Sequence, residues 1–417
     1  LTLLNITLCI DKNVLGTSRH FLIRDGNYSW SVNVPDDSWY LNGSLKLIDK
    51  CFDSIARLNG STIDLTPPEA FARAISSFVL PGETPPWRWC MPRAIHEKFS
   101  RRIIDDASSI LKSILQNSSR PSQSNEKPSI IDYHQNIWLA GNRVLGALKK
   151  AKLNVAEYER LITSGDGNVG ANKTFKPIAA GYANDIRYNR FGTRTGRLTV
   201  ESGPLILTLK KEHRKSLLES RFEGGKIIEL DFASLEPRVM LHEAGKTSNS
   251  VNLYGELNEQ LFGGRGEQNV IKQAVIAQLY GMGKNTLQKL LNVPMETIDT
   301  FMTVITDHFE TKNLLKRVKS EFYEKGHITN KFGRLVEIEV PIDRMFVNSW
   351  SQSSGADVAM LGFDQMIKSF EGKRIKPLYL IVDAMLVDCH PSENEFVKSL
   401  RSFEIAGNKY PVKITEY

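Results

Sequence analysis

The chain has 417 residues, 41% hydrophobic and 24% charged, with 54 Lys and Arg against 47 Asp and Glu. At about 100–200 residues per domain, this is globular material for several domains or one large multi-lobed enzyme, and it excludes a disordered chain. The net charge of +7 is compatible with a polyanionic partner without demonstrating one. No apolar run approaches the ~20 residues of a membrane helix. No basic stretch leads into an apolar run with a cleavage site, so membrane and secreted classes are excluded as well. Four cysteines, at positions 9, 51, 90 and 389, are too scattered for a disulfide framework or a zinc site, and read as free thiols in a reducing, intracellular setting. The sequence opens on Leu1 rather than Met, which leaves room for residues upstream.

Residues 1–50 alternate short apolar runs with polar turns (Leu3–Ile10, His20–Ile23, Tyr28–Val34), a β-rich pattern. Pro67-Pro68, Pro81-Gly82 and Pro85-Pro86 punctuate the next stretch and set a boundary near 80–95. Helical spacing runs through Ile103–Leu115, then a Ser/Asn/Pro-rich segment, Asn117–Pro128, reads as a mobile loop. Ile130–Leu161 is again helical and Gly165–Asn172 is loop. Residues 187–215 then hold eight Lys or Arg against two Glu. A solvated basic face explains such a run; interleaved Tyr188, Phe191, Gly192 and Gly196 make a nucleic-acid surface an equal reading.

Three later segments carry chemistry. Lys226–Leu230 is strand-like and ends at Asp231, after which Leu235, Val239 and Met240 take up helical spacing. An Asp at such a junction is most often only a helix N-cap. Leu378–Val382 and Met385–Val387 are apolar β runs around Asp383-Ala384, a tight hairpin whose Asp would ordinarily be a turn former. Two carboxylates on neighbouring strands would, however, suit two-metal phosphoryl transfer, with divalent ions about 3.5–4 Å apart. Between them Gln268, Lys272, Ile276 and Tyr280 recur every fourth residue, one stripe along a helix. Lys272 there could meet a polyphosphate and Tyr280 a base or sugar; the plain alternative is a solvent-facing lysine and a half-buried tyrosine.

In order and wording these segments resemble the family A (Pol I-like) DNA polymerases. Asp231–Arg238 (DFASLEPR) is similar to motif A, commonly D-Y-S-x-I-E-x-R. Lys272 with Tyr280-Gly281 matches the K-x7-Y-G of motif B, and Leu380–Leu386 looks like motif C. Thr195–Leu198 is the T-G-R-L signature. Arg344–Asp357 (RMFVNSWSQSSGAD) follows the R-x3-N-x3-Q-G-x-x-A-D helix, with an added serine before Gly355. Asn252-Leu253-Tyr254 with Phe262-Gly263 resembles the lead into the fingers. The resemblance covers residues 187–417.

The resemblance implies an α+β right-hand polymerase. Residues 1–90 would be a β-rich N-terminal domain, 95–180 a helical thumb, 181–245 and 340–417 the palm, and 246–340 the fingers. Asp231, Asp383 and the carbonyl of Phe232 would hold two Mg²⁺, for which Mn²⁺ can substitute. Lys272 would take the triphosphate of a dNTP, and Tyr280, Glu236, Gln268, Arg265, Ile276 and Tyr254 would surround the nucleotide. Glu236, packed against Tyr280, would exclude a 2′-hydroxyl unless it pairs with a basic neighbour such as Arg238. Arg194, Arg197, Arg344, Asn348 and Gln352 would contact primer–template DNA. The enzyme implied is a monomeric, nucleic-acid-associated DNA-directed DNA polymerase, compact in the manner of viral or mobile-element enzymes. Asp11 lacks an acidic partner two residues on, so no proofreading exonuclease is expected.

Departures stand beside these matches. Motif C usually reads His-Asp-Glu, and here it is Val382-Asp383-Ala384. The arginine usual four residues before the motif B lysine is Gln268, for which Arg265 could substitute if the helix extends that far. The aromatic usual at 276 is Ile276. They leave as alternatives a single-subunit RNA polymerase of related fold, or a nucleic-acid-binding relative whose site has decayed.

Overall fold

The computed structural model describes residues 6–35, 38–41, 51–68, 91–118, 128–248 and 250–417. The chain gathers into two compact units, 1–142 with 333–335 and 143–332 with 336–417. The limit at 142 falls inside the 95–180 span. The boundary expected near 80–95 and the loop expected over Asn117–Pro128 lie largely outside the described residues.

In the first unit, strands β1 (Thr7–Ile10), β2 (His20–Arg24), β3 (Asn27–Ser31) and β4 (Trp39–Leu41) form a sheet in the order β3-β2-β1-β4. Its pairs are antiparallel except β1 with β4. The β2–β3 hairpin turns on Asp25-Gly26, both with positive φ (49° and 77°), the dipeptide such two-residue turns favour. Asp11 accepts a hydrogen bond from the Asn13 N–H at 2.7 Å and so caps a single helical turn, α1 (Lys12–Leu15). After α2 (Phe52–Leu58), the long helix α3 (Arg93–Ser118) buries Ile103, Ala107, Leu111 and Ile114 along one stripe.

The helix expected over Ile130–Leu161 is interrupted. Helical turns run from Ile130 to Ala147, but the chain then becomes a strand at Lys152–Leu153 and coils again only at Val155–Ser164. Ala151 and Leu153 alternate into a core, and the Asn154 side chain accepts the Glu157 N–H at 3.0 Å to start the new helix. The stretch Gly165–Asn172, expected as loop, holds the start of a short helix, Val169–Lys173, capped by Asn168.

The second unit is organised by β5 (Lys226–Phe232), β6 (Ile375–Ile381), β7 (Ala384–Cys389), β8 (Ser402–Ile405) and β9 (Asn408–Glu416). They form one antiparallel sheet in the order β6-β7-β5-β9-β8. The unit also carries α4 (Lys211–Leu217), α5 (Leu235–Glu243), α6 (Leu253–Phe262), α7 (Gln268–Leu279), α8 (Lys284–Leu291), α9 (Met295–His308), α10 (Thr311–Lys325) and α11 (Asp343–Ser369). Among the described residues no helix is long and apolar enough to cross a membrane.

Period-two alternation gives β5 two different faces. Ile228, Leu230 and Phe232 are buried on one, where the Phe232 ring lies 6.0 Å from that of Phe363 on α11. Ile227, Glu229 and Asp231 share the other. There Ile227, Ala384 and Leu386 join Leu153, Phe175, Ile206, Leu209 and Leu217 in a continuous apolar cluster. The sheet is thus fully packed beneath Phe232, while the opposite face turns acidic toward the end of β5.

Gly362 lets α11 approach this closely. A Cβ at that position would overlap the Phe232 ring and come 3.1 Å from Ile405 Cδ1. Gly362→Ala is therefore expected to cost about 1–3 kcal/mol, the range for overpacking a filled core. The measurement is a lowered urea midpoint at unchanged slope; an unchanged midpoint would mean that the ring moves aside freely.

Candidate active site

Asp231 is the penultimate residue of β5 and stands, in register, between Ala384 of β7 and Lys413 of β9. Asp383 lies in the turn joining β6 to β7. Val382 beside it has φ 56°, a left-handed conformation that is a genuine outlier for a β-branched residue. The Phe232 N–H donates to the Asp383 carbonyl at 3.1 Å, tying that turn to the end of β5. The strand and the hairpin read from the sequence therefore lie side by side, and their aspartates meet at one end of the sheet.

Both carboxylates are partly buried and hold their protons above the ordinary range. Asp231 is pushed up to about 7, first by burial, then by the negative charges of Asp383 and Glu229, against the pull of Lys211 and Lys272. Asp383 is raised chiefly by burial, with its own backbone N–H, Arg197 and Lys272 acting to lower it. The pair is therefore an electrostatic deficit: two like charges in reduced solvent, offset by three cations reaching in from separate elements.

Lys272 reaches the aspartates from α7. Its ammonium stands 5.9 Å from the ring centre of buried Tyr254, whose own hydroxyl is bonded to Ser234 and pushed up to about 12 by burial. The expected stripe begins with the helix at Gln268, and Tyr280 follows its last residue; Ile276 and Tyr280 are half-buried. Gln268 does not project toward the aspartates as a free donor: its amide N–H₂ is given to Asn252 Oδ1 at 2.6 Å. The helix starts too late to carry Arg265 on that stripe, so the arginine precedes it in the loop. Gly281, at φ 78°, closes on Arg344 of α11, where a Cβ would lie 2.9 Å from the Arg344 Cβ.

At Ser234 the chain takes a left-handed φ of 54° and turns from β5 into α5. Glu236, in the first turn, pairs with Arg197. Arg238 is not its partner: wholly buried, Arg238 donates to the carbonyls of Ala233 (2.7 Å), Ser248 (2.8 Å) and Ser250. Arg197 is thus held by Glu236 while its charge also reaches Asp383. Of the other residues expected on DNA, Arg194 pairs with Glu339 at 2.7 Å. The Gln352 amide donates to Asn348 Oδ1 at 2.5 Å, one turn back along α11.

Sequence reasoning missed Glu229, Lys211 and Tyr417. Glu229 is 5% exposed; Lys211 Nζ lies 2.5 Å from its Oε1, and the Tyr417 hydroxyl donates to its Oε2. The signal was present in part, as a glutamate inside an otherwise apolar strand and a lysine in the basic run 187–215.

Among the described residues no group of three or more His, Cys, Asp or Glu side chains is gathered as a metal cage. Asp231 and Asp383 nevertheless fit a divalent cation by the chemistry of their oxygens. They are two hard, anionic donors whose mutual repulsion and burial a cation would relieve.

The raised Asp231 has a consequence for stability. Without a cation, the folded chain keeps this proton up to about pH 7, whereas an ordinary carboxyl loses it near 3.8. The folded state binds more protons in that window, so its stability falls as pH rises through it and stays lowered above. Asp231→Asn should accordingly raise the melting temperature in cation-free buffer at about pH 8, and much less at about pH 5. An equal effect at both would mean that the charge is not strained.

No protein-family model matches this sequence, and no curated protein matches it. Among solved structures it is similar to the POL domain of Pol1 from M. smegmatis, determined in complex with DNA primer-template and dNTP. The similarity covers 98% of this chain and 94% of that one, at 15% identity and a TM-score of 0.56. The likeness is one of fold: the α+β architecture described above is similar to that of a DNA polymerase domain.

Proposed function

We propose that this chain is a template-directed DNA polymerase that adds deoxynucleotides to a primer 3′ end by nucleotidyl transfer, without proofreading. One observation carries the reading. Asp231 near the end of β5 and Asp383 in the β6–β7 turn are brought side by side, with Lys272 acting on both from α7, in a chain whose fold is similar to that of a DNA polymerase domain. By this proposal it takes the ligands named for the M. smegmatis protein, primer-template and dNTP, as a nucleic-acid-associated, intracellular monomer. Its motifs resemble those of family A, with departures at Gln268, Ile276, Val382 and Ala384. Residues 181–245 and 340–417 act as palm, 246–340 as fingers, 95–180 as thumb and 1–90 as an N-terminal domain.

Asp231 and Asp383, with the Phe232 carbonyl, would hold two Mg²⁺ or Mn²⁺ ions. Such ions supply activation of a hydroxyl nucleophile and charge neutralisation at a phosphate under attack. The protein's own side chains do the rest. Lys272, a mobile point charge, holds the nucleotide's triphosphate. Buried Tyr254, anchored on Ser234, sets the floor against which that lysine rests. Half-buried Tyr280 offers a stacking face, with Ile276, Gln268 and Arg265 around it. Glu236, fixed by Arg197 in the first turn of α5, bars the 2′-hydroxyl. Arg194, Arg197, Arg344, Asn348 and Gln352 hold the primer–template through backbone and groove edges, which suits an enzyme that accepts every sequence. The expected absence of proofreading rests on Asp11 having no acidic residue two positions on.

A second reading, a decayed nucleic-acid-binding relative, is favoured by Ala384 opposite Asp231 and by Gln268 engaged with Asn252. Metal-dependent primer extension separates the two. Asp383→Asn should cut the extension rate by more than about tenfold, a barrier change above ~1.4 kcal/mol, while primer–template binding holds. Wild-type protein that binds but never extends would support the decayed relative. Glu236→Ala should raise ribonucleotide use relative to deoxynucleotide by at least about tenfold; a ratio unchanged in single-nucleotide kinetics would remove Glu236 as the sugar gate and reopen an RNA-polymerase reading.

A further inference from the structure

Glu229 is the feature of the sheet that the proposed chemistry leaves unexplained. It lies two residues before Asp231 on the same face of β5, in register between Leu386 and Thr415, beside an apolar cluster that a leucine would extend. Instead a third carboxylate is buried there, where its charge works against both Asp231 and Asp383. Both of its oxygens are already engaged. Lys211 Nζ, from the first residue of α4, takes Oε1 at 2.5 Å, and the Tyr417 hydroxyl takes Oε2. Tyr417 is itself backed by cations, with Lys215 Nζ 5.5 Å from its ring centre.

We infer that Glu229 is a positioning residue: clamped by Tyr417, its carboxylate holds the Lys211 ammonium beside Asp231 but off its oxygens, and so keeps Asp231 open to a divalent cation. This rests on the reading of Asp231 as a cation-binding group. The geometry makes the competition real. Residues two apart on a strand are spaced about 6.6–6.8 Å, well within the swing of a lysine's four-carbon stem. Lys211 is half exposed, so its ammonium has room to move. Its charge already acts on Asp231 from where it stands. Released from Glu229, it would find Asp231 the adjacent carboxylate on the same face, and an ion pair there would occupy the lone pairs that a cation needs.

The test is Mn²⁺ binding by electron paramagnetic resonance, on the full chain without DNA or nucleotide. Glu229→Gln keeps the side-chain shape and should weaken Mn²⁺ binding about tenfold. In a Lys211→Met background the same substitution should change it by less than about twofold, since additivity fails where one residue acts through another. In primer extension Glu229→Gln should raise the Mg²⁺ requirement while largely preserving the rate at saturating Mg²⁺. Unchanged Mn²⁺ affinity overturns the inference. So does an equal loss in both backgrounds, which would mean that Glu229 acts by its own charge. Should Glu229→Gln not fold, Tyr417→Phe carries the test: it must weaken Mn²⁺ binding only where Lys211 is present. The titration needs no primer. Protein that gives this Mn²⁺ pattern but extends nothing sinks the polymerase reading alone; protein that extends without it sinks only the role of Glu229.

Discussion

Two carboxylates held at the ends of adjacent strands repel each other, and much of the second unit is arranged around that repulsion. The Phe232 N–H to Asp383 carbonyl bond fixes how close the strand end and the turn can stand. Once that distance is set, the remaining freedom is in the cations. Lys272 comes from α7, Arg197 from the segment before β5, and Lys211 from α4. None is adjacent in sequence to the residue it compensates. A site assembled this way forms only when several elements have docked, so it depends on the whole unit's packing. The left-handed Val382 fits the same picture, because a strained turn persists only where its surroundings over-determine it.

What could be read from the sequence was what is local. The end of β5 at Asp231, the hairpin around Asp383 and the Gln268–Tyr280 stripe each rest on periodicities of two or 3.6 residues, which a short window displays. Partnerships across long separations could not be read that way. Glu236 was set against Tyr280 or Arg238, but its ion-pair partner is Arg197, and Arg238 is spent on three backbone carbonyls. Arg265 would join the stripe only if the helix extended that far, and it starts three residues later. The break after Ala147 was invisible because Lys149, Lys150 and Lys152 are tolerable helix formers. Only the buried seats of Ala151 and Leu153 pull the chain into extended form.

The basic run of residues 187–215 shows how composition misleads when partners are unseen. Read as a charge total, it was either a solvated face or a nucleic-acid surface. In the fold, Arg194 is paired with Glu339, Arg197 with Glu236 and Lys211 with Glu229, while Arg214 donates to the Leu209 carbonyl at 2.9 Å. Much of the run's charge is therefore committed to acids and carbonyls of the same unit. Any surface offered to a polyanion is smaller than the sequence total implies.

Pairing of charges also bears on position 384. Ala384 is buried in the apolar cluster and lies directly across from Asp231, so an acid there would face both a like charge and hydrocarbon. The chain instead carries its extra carboxylate at Glu229, one same-face step back along β5, where Lys211 and Tyr417 can reach both oxygens. A buried carboxylate is tolerable when its oxygens are satisfied and its charge is paired. Position 229 meets that condition through α4 and the residue after β9. The acid at 229 thus stands where two donors hold it, and the place opposite Asp231 is small and uncharged.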